Sequence, residues 1–141
     1  IETSGEINNY MPQYVVERSS KILNRYKKPL NGSKIFILGV AYKQDVDDYR
    51  ESPALKVIEN FEKEGAAVCY NDPYIPEYRY KGKVRKSVEL SEENLKMADL
   101  IVITTMHNCY DYEFIRKNSI MIFDTKNAMK NVTKRDNIEL L

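Results

Sequence analysis

The sequence contains no run of about 18 apolar residues, the length that a membrane-spanning helix needs, so we expect no membrane span. Its net charge is small, because 22 basic residues balance 21 acidic ones, and this argues against a broad nucleic-acid-binding surface. The two cysteines, Cys69 and Cys109, lack the spacing of metal ligands and are predicted to be reduced thiols. Since no signal-peptide pattern occurs at the start, these features favour a cytoplasmic protein with no nucleic-acid or membrane partner.

Glycine is scarce where a dinucleotide-binding fold needs it. Such folds carry the pattern G-x-G-x-x-G after their first strand, whereas only Gly39 follows the apolar run 35–38 in this sequence. This argues against a standard NAD site within the chain. The sequence begins at Ile1 rather than at methionine, inside a predicted helix, and we therefore expect a fragment of a longer protein.

The most informative stretch runs from Lys34 to Pro53. Its apolar run 35–38 predicts a buried strand, and Ser52-Pro53 is typical of a helix start. The polar loop between them carries Lys43 and Arg50 ahead of the free backbone donors of the new helix, which suits an anionic ligand. In open α/β sheets such loops lie at the carboxyl ends of strands, where ligands bind. Solvated surface charge is the alternative interpretation of the two cations.

Strands and helices alternate along the chain. Apolar periodicity predicts an amphipathic helix over residues 3–27, which Pro12 either restarts or kinks. The later alternation predicts βαβ units with helices on both faces of the sheet. We therefore predict an α/β fold, a Rossmann-like three-layer sandwich with a mostly parallel sheet (30–141), preceded by a long N-terminal helix (1–29). The predicted strands are 35–39, 67–71, 100–103 and 120–123, the predicted helices follow Pro53 and cover 92–97 and 112–117, and a short edge strand is expected near Val84.

Several motifs resemble one known family. They are Gly39 to Lys43, Asp47-Asp48 and Arg50 to Pro53 in the central stretch, with Asn8 to Pro12, Tyr70 to Tyr74, Thr104 to His107 and Phe123 to Asn127 around it. Their order and spacing resemble the C-terminal, UDP-binding domain of the UDP-glucose/GDP-mannose dehydrogenase family. The likeness covers nearly the whole chain, and it is greatest to the branch that oxidises UDP-N-acetylhexosamines.

The resemblance implies roles for four residues. Lys43 would reach into the active site beside the nucleotide-sugar and the reacting carbon, and Tyr42 would lie against the nucleotide-sugar. Arg50 would contact NAD. Lys126 would contact UDP in place of the arginine of most relatives, keeping its charge but losing its planar fork. We expect the four to converge on one pocket at the carboxyl ends of the first and last strands.

The resemblance also implies a parent enzyme. This would be an NAD-dependent UDP-sugar 6-dehydrogenase that oxidises the sugar C6 alcohol to a carboxylate for surface polysaccharide precursors. NAD would be bound mainly by an N-terminal domain before Ile1, and the catalytic cysteine would lie before Ile1 in a Gly-Cys-Phe-Pro type motif, a setting that Cys69 and Cys109 lack. The chain alone is therefore expected to be inactive. Residues 1–29 would form the distal part of an inter-domain helix and of a homodimer interface.

Two other functions stay open at this stage. A UDP-glucose 6-dehydrogenase domain would share the same motifs. A non-catalytic receiver-type module would need an aspartate at the end of its central strand, whereas Asp124 ends the last predicted strand. His107 and Cys109 lie two residues apart, but neighbours in a loop seldom form a base–nucleophile pair, and structural roles are predicted for both.

The acidic residues of the central loop raise the question of a metal. Asp47, Asp48 and Glu51 lack a surrounding set of ligands, and we predict surface charge or partners for Arg50 rather than a metal site. Asp72, which precedes a proline, is predicted to anchor a loop by capping its own turn.

Overall fold

A computed structural model describes residues 2–141, with side chains described from Met11 onward. The elements are α1 (Glu2–Asn24), β1 (Lys34–Leu38), α2 (Pro53–Lys63), β2 (Ala67–Asn71), β3 (Glu77–Tyr80), β4 (Lys83–Lys86), α3 (Glu92–Met97), β5 (Leu100–Ile103), α4 (Tyr112–Asn118), β6 (Ile122–Asp124) and β7 (Ile138–Leu140).

The main sheet of the described residues has five parallel strands in the order β2-β1-β5-β6-β7. β1 lies inside this sheet, where Phe36 pairs with Cys69 on one side and with Ile101 on the other. All the side chains from Ile35 to Leu38 are buried, which accounts for the unbroken apolar run. The predicted mostly parallel sheet is confirmed.

Helices cover both faces of this sheet. Successive side chains of a strand point to opposite faces. Ile35 and Ile37 accordingly pack in one core cluster with α1 and α2, whereas Phe36 and Leu38 pack in a second cluster with α3 and α4. The two clusters make the three-layer sandwich that the sequence predicts.

The last two strands differ from the prediction. β6 begins at Ile122 rather than at Ile120, which is 50% exposed, and it continues to Asp124. β7 was not predicted at all. It pairs Ile138 with Ile122 at the edge of the sheet, and a strand of three residues that contains Glu139 carries too little periodicity to stand out.

α1 ends at Asn24, three residues before its predicted end. Lys27 adopts a left-handed conformation with φ +62°, and the Lys28 N–H donates to the Leu23 carbonyl oxygen at 3.1 Å. The Lys27 N–H donates to the Asn24 carbonyl oxygen, which completes a Schellman-type helix end. Pro12 lies within α1 and does not end it.

α1 packs against its own domain. Val15, Val16, Ile22 and Leu23 are buried in the core cluster that contains α2. Ile7 and Tyr10, apolar residues at the start of the predicted amphipathic helix, and most of the motif from Asn8 to Pro12 lie outside the described side chains. The dimer interface of this helix stays a prediction. None of the helices in the described part of the chain has the length and apolar character that crossing a bilayer requires.

The edge strand expected near Val84 is one arm of a separate hairpin. β3 and β4 pair antiparallel, joined by Lys81 and Gly82, which both have positive φ as tight two-residue turns require. The hairpin is tied to α2 by ion pairs from Glu59 to Lys81 and from Glu62 to Arg85.

Candidate functional site

The loop from Gly39 to Ser52 joins β1 to α2 at the carboxyl edge of the sheet. Gly39 leaves the strand with φ +91°, so β1 ends one residue before the predicted range. The Ser52 hydroxyl accepts a hydrogen bond from the Ala54 N–H, and Pro53 is the first helical residue. The predicted succession of strand, polar loop and capped helix is confirmed.

Asp72 holds the base of this loop. Its Oδ2 accepts hydrogen bonds from the Val40 N–H at 2.8 Å and from the Ala41 N–H at 3.0 Å. Its Oδ1 accepts from the Tyr74 N–H at 2.8 Å, so Asp72 caps its own turn as predicted. The bonds to Val40 and Ala41 join the loop after β2 to the loop after β1, a contact that local sequence does not reveal.

The Asp72 carboxylate is stabilised although it is buried. Burial by itself would raise its pKa, but hydrogen bonds from His107, Tyr74 and Val40 more than offset this, and the pKa lies below its ordinary value of 3.8. The carboxylate is therefore ionised at neutral pH and serves as a fixed acceptor for backbone donors.

His107 connects the same carboxylate to the far end of the loop. It is fully buried, and its Nε2 lies 2.9 Å from Asp72 Oδ2. Its Nδ1 accepts a hydrogen bond from the Asp45 N–H at 2.8 Å, which leaves the ring proton on Nε2 to be donated to Asp72. Both ring nitrogens thus have partners other than Cys109. This agrees with the predicted structural role of His107 and not with a Cys–His nucleophile.

Three of the four predicted site residues lie together on the outer part of the loop. Tyr42 is 48% exposed, and the Lys43 ammonium lies 5.6 Å from the centre of its ring, in the geometry of a cation–π contact. Tyr42 and Arg50 line one open depression together with Asp48 and Glu51. The outer loop therefore presents an aromatic face and two cations to an approaching ligand.

Arg50 is paired with a carboxylate of its own loop. Its Nε and Nη2 donate to the two oxygens of Asp48 at 3.1 and 3.3 Å, which lowers the pKa of Asp48 and raises that of Arg50. Of the three acidic residues that were predicted to be surface charge or partners for Arg50, Asp48 is a partner. No group of three or more His, Cys, Asp or Glu side chains within the described residues is placed to hold a metal ion.

Lys126 lies in a different groove, which α1, the start of α2 and the ends of β5 and β6 enclose. Pro12, Pro53, Thr104 and Thr125 contribute to its walls. Glu51 lines the depression on the outer loop, and Pro53 lines the groove. Both recesses therefore lie beside the N-terminus of α2. Lys126 therefore lines a groove separate from the depression that Tyr42 and Arg50 line, and the expected convergence of all four residues on one pocket stays a prediction.

Asp124 shapes the turn that carries Lys126. This buried carboxylate ends β6 and accepts backbone N–H bonds from Lys126, Ala128 and Met129 at 2.8–3.0 Å. All three partners lie within five residues of Asp124. This turn could therefore have been predicted from the local sequence, because an aspartate directly after an apolar run often caps the turn that follows it.

Comparison with known proteins identifies the family of the chain. Residues 36–131, which include the end of β1, the central loop and Lys126, match the family model described as the UDP binding domain of the UDP-glucose/GDP-mannose dehydrogenase family. The chain belongs to this family. Membership also removes the receiver-type module from consideration, since the matched segment contains the whole central loop.

Individual family members share a large part of the sequence. The UDP-N-acetyl-D-mannosamine dehydrogenase of Methanocaldococcus jannaschii is 39% identical over 138 residues, which cover 92% of this chain. The enzyme of the same name from Campylobacter jejuni is 32% identical over 122 residues and covers 84% of this chain. The chain spans 30% and 28% of the length of these two relatives.

Solved structures show the same architecture. The UDP-D-ManNAc dehydrogenase of Pyrococcus horikoshii superposes with a TM-score of 0.77 at 28% identity, covering 96% of this chain and 31% of that structure. The native UDP-N-acetyl-mannosamine dehydrogenase of Staphylococcus aureus gives a TM-score of 0.69 at 32% identity, with 96% and 31% covered. The described fold is thus that of one domain within longer dehydrogenases.

Proposed function

We propose that this chain is the C-terminal nucleotide-sugar-binding domain of an NAD-dependent UDP-sugar 6-dehydrogenase that acts on a UDP-N-acetylhexosamine. The observation that carries the proposal is the β1–α2 loop. A buried carboxylate holds its base, and its outer part exposes Tyr42, Lys43 and Arg50 at the carboxyl edge of the sheet. The names of the relatives support the N-acetylhexosamine branch. The product would be a sugar carboxylate for surface polysaccharides.

The two recesses suggest that different parts of the ligands bind in each of them. The Lys126 groove joins an ammonium group to the start of α2, a combination that suits a diphosphate, and we assign UDP to it. Tyr42 would lie against the sugar part of the ligand. Lys43 would support the chemistry beside the reacting carbon, and Arg50 would reach the NAD phosphates after exchanging its contact with Asp48 for them.

NAD would be held mainly by a domain outside this chain. The turn after β1 does not fit a pyrophosphate, because the space beside Gly39 is filled by Thr105 and the N–H groups of Val40 and Ala41 are already donated to Asp72. The chemistry supplied by a bound NAD would be that of an acceptor for the hydride from the sugar C6. The residues of this chain would bind and orient the nucleotide-sugar for that transfer.

The same proposal places the catalytic cysteine outside the chain as well. Cys69 lies on the edge strand β2 and Cys109 in the loop before α4, and neither lines either recess. The parent would be cytoplasmic, and α1 would contribute to a homodimer interface.

The first experiment tests the division between this chain and its parent. With NAD and UDP-N-acetylmannosamine, the chain alone should produce no NADH above background, whereas the full-length parent should produce it steadily. UDP-N-acetylglucosamine and UDP-glucose are assayed in parallel by absorbance at the NADH wavelength. Faster turnover of UDP-glucose would assign the parent to the UDP-glucose branch instead, and turnover by the chain alone would contradict the proposal.

A second experiment separates the two recesses in the parent. Lys126→Ala should weaken UDP binding by about ten- to a hundredfold, because a hydrogen bond between ionised partners contributes roughly 1.5–3 kcal/mol. Lys43→Ala should weaken binding of the UDP-sugar and lower kcat by about a hundredfold, as expected for a cation beside the reacting atoms. Calorimetric titration with UDP and steady-state kinetics give the two quantities.

Lys130→Ala serves as the matched control, since Lys130 is an exposed lysine in the same segment after β6. It should change UDP affinity by less than about twofold, the usual scale for isolated surface charge. Arg50→Ala should raise the KM for NAD and leave UDP affinity unchanged. If Lys43→Ala left both affinity and turnover at the wild-type level, the central loop would be purely structural.

A further inference from the structure

The outermost turn of the central loop is attached to the loop after β5 through Asp45. Its N–H donates to His107 Nδ1 at 2.8 Å, and its Oδ1 accepts from the Asn108 N–H at 2.8 Å. Its Oδ2 accepts from the Asn108 side-chain amide at 2.5 Å. We call these three hydrogen bonds the Asp45 bridge. Asp45 stands two residues after Lys43, so the bridge holds the backbone next to the proposed reacting region.

The bridge holds the outermost turn of the central loop, from Tyr42 to Asp48. The Tyr42 N–H donates to the Asp48 carbonyl oxygen at 2.7 Å and closes the loop across its neck. Between these positions the side chains of Lys43 and Gln44 are exposed, and Asp45 has a left-handed backbone with φ +62°. Short polar side chains favour that conformation. A closed turn of seven residues, from Tyr42 to Asp48, whose tip is bonded elsewhere loses much of its freedom to move Lys43.

His107 gives the bridge a rigid support. Its ring is fully buried, lies 4.8 Å from the Tyr74 ring and 5.6 Å from the Tyr110 ring between centres, and donates to Asp72 from Nε2. The Asp72 bond sets the tautomer, and that tautomer presents an unprotonated Nδ1 to the Asp45 N–H. Asp72 also accepts from Val40 and Ala41, so one carboxylate holds the base of the loop directly and its tip through the imidazole.

We propose that His107 and Asp45 are positioning residues, which hold the backbone of the central loop so that Lys43 faces the reacting carbon of the nucleotide-sugar. This inference rests on the proposed function of Lys43. The imidazole does not touch substrate. It acts by fixing the Asp45 N–H, and removing that one bond should lower turnover without removing the fold or the UDP groove around Lys126.

Two amide substitutions at position 107 separate the bridge from general packing. In His107→Asn the amide oxygen occupies the place of Nδ1 and can accept from the Asp45 N–H, whereas the Asp72 bond is lost. In His107→Gln the amide nitrogen occupies the place of Nε2 and can donate to Asp72, whereas the Asp45 bond is lost. Both variants remove the ring and each keeps one of its two hydrogen bonds, so their difference weighs the Asp45 bond directly against the Asp72 bond.

The full-length parent is compared by hydrogen exchange at the Asp45 amide and by steady-state kinetics. We expect the Asp45 amide to exchange about tenfold faster, and kcat to be about tenfold lower, in His107→Gln than in His107→Asn. UDP affinity should agree within about twofold between the two variants. Asp45→Asn keeps a side-chain acceptor and tolerates φ +62°, whereas Asp45→Gly tolerates this φ but loses the side-chain bonds to Asn108. Asp45→Asn should therefore retain more of the wild-type kcat than Asp45→Gly.

Asp111→Ala is the stability control, because it removes the N-cap of α4 in the same β5–α4 connection and touches neither Asp45 nor His107. It should lower Tm and leave kcat unchanged.

Equal kcat in His107→Gln and His107→Asn would overturn the positioning role, even if the Asp45 amide exchanged faster. If the wild-type parent turned over no UDP-sugar, the proposed function would fail. The exchange comparison would still decide the bridge, since equal exchange in both variants would overturn it and a tenfold difference would support it.

Discussion

Replacing Gly39 with alanine is expected to destabilise the domain by about 4 kcal/mol, a large share of the roughly 5–15 kcal/mol that stabilises a domain of this size. Two effects add. Gly39 has φ +91°, which costs a residue with a Cβ about 1–2 kcal/mol. The new Cβ would also lie 2.4 Å from the Thr105 Cβ and 2.7 Å from its carbonyl oxygen. Relieving an overlap with backbone typically costs about 1–3 kcal/mol. Denaturant titration followed by circular dichroism measures the change.

Gly32→Ala is the matched control for this prediction. Gly32 has φ +85°, but a Cβ built on it meets no atom within 4 Å. It therefore carries the strain of a positive φ without the overlap, and we expect a loss of about 1–2 kcal/mol. Equal losses in the two variants would show that Thr105 yields easily and that the approach of β1 to the loop after β5 is not tight.

Asp72→Ala is expected to cost about 3–5 kcal/mol, because a buried ionised group with several partners leaves them unpaired when it is removed. The Val40, Ala41 and Tyr74 N–H groups and the His107 Nε2–H would all lose their acceptor. Asp99→Ala is the control. That carboxylate also accepts a backbone N–H and an ammonium group, but its side chain is partly exposed, so its loss should be nearer 1 kcal/mol.

Asp72 should also make stability depend on pH. Its folded-state pKa lies below the ordinary 3.8, so its contribution is complete above that value and is lost as the pH falls through the lower, folded-state pKa. The free energy of unfolding of the wild type should therefore fall more steeply below about pH 4 than that of Asp72→Asn. Other carboxyl groups, such as Glu59 with a pKa of about 2, titrate in both proteins, so the difference between the two curves isolates Asp72. Parallel curves would contradict the assignment.

The elements of this fold were largely predictable because each has a strong local signal. The apolar run 35–38 is buried on both faces of the sheet, and Ser52-Pro53 caps α2 as its residue types indicate. β7 was missed because an edge strand of three residues needs little hydrophobicity of its own. The hairpin of β3 and β4 was read as one edge strand, although Lys81-Gly82 supplies the two positive φ angles of a tight turn.

The candidate site was predictable in its parts and not in its arrangement. Lys43 and Arg50 stand in a polar loop between a strand and a helix, a pattern visible in the sequence, and motif resemblance singled out Tyr42 and Lys126. Their placement in two recesses depends on how α1 packs over the ends of β5 and β6, which is a long-range contact. Asp45 has no local signal, because its partners His107 and Asn108 lie more than 60 residues away.

The amino-acid sequence by itself determined the α/β class, the parallel sheet, the position of the central loop and the family motifs. These follow from periodicity, turn residues and residue types over short stretches, where local physics is sufficient. The tertiary structure decided the rest. Asp72 meets Val40, and His107 meets Asp45, only because parallel strands β2, β1 and β5 bring their carboxyl ends to one edge. Hydrogen bonds between those loops depend on distances that the sheet sets, and the sequence encodes them only through the whole fold.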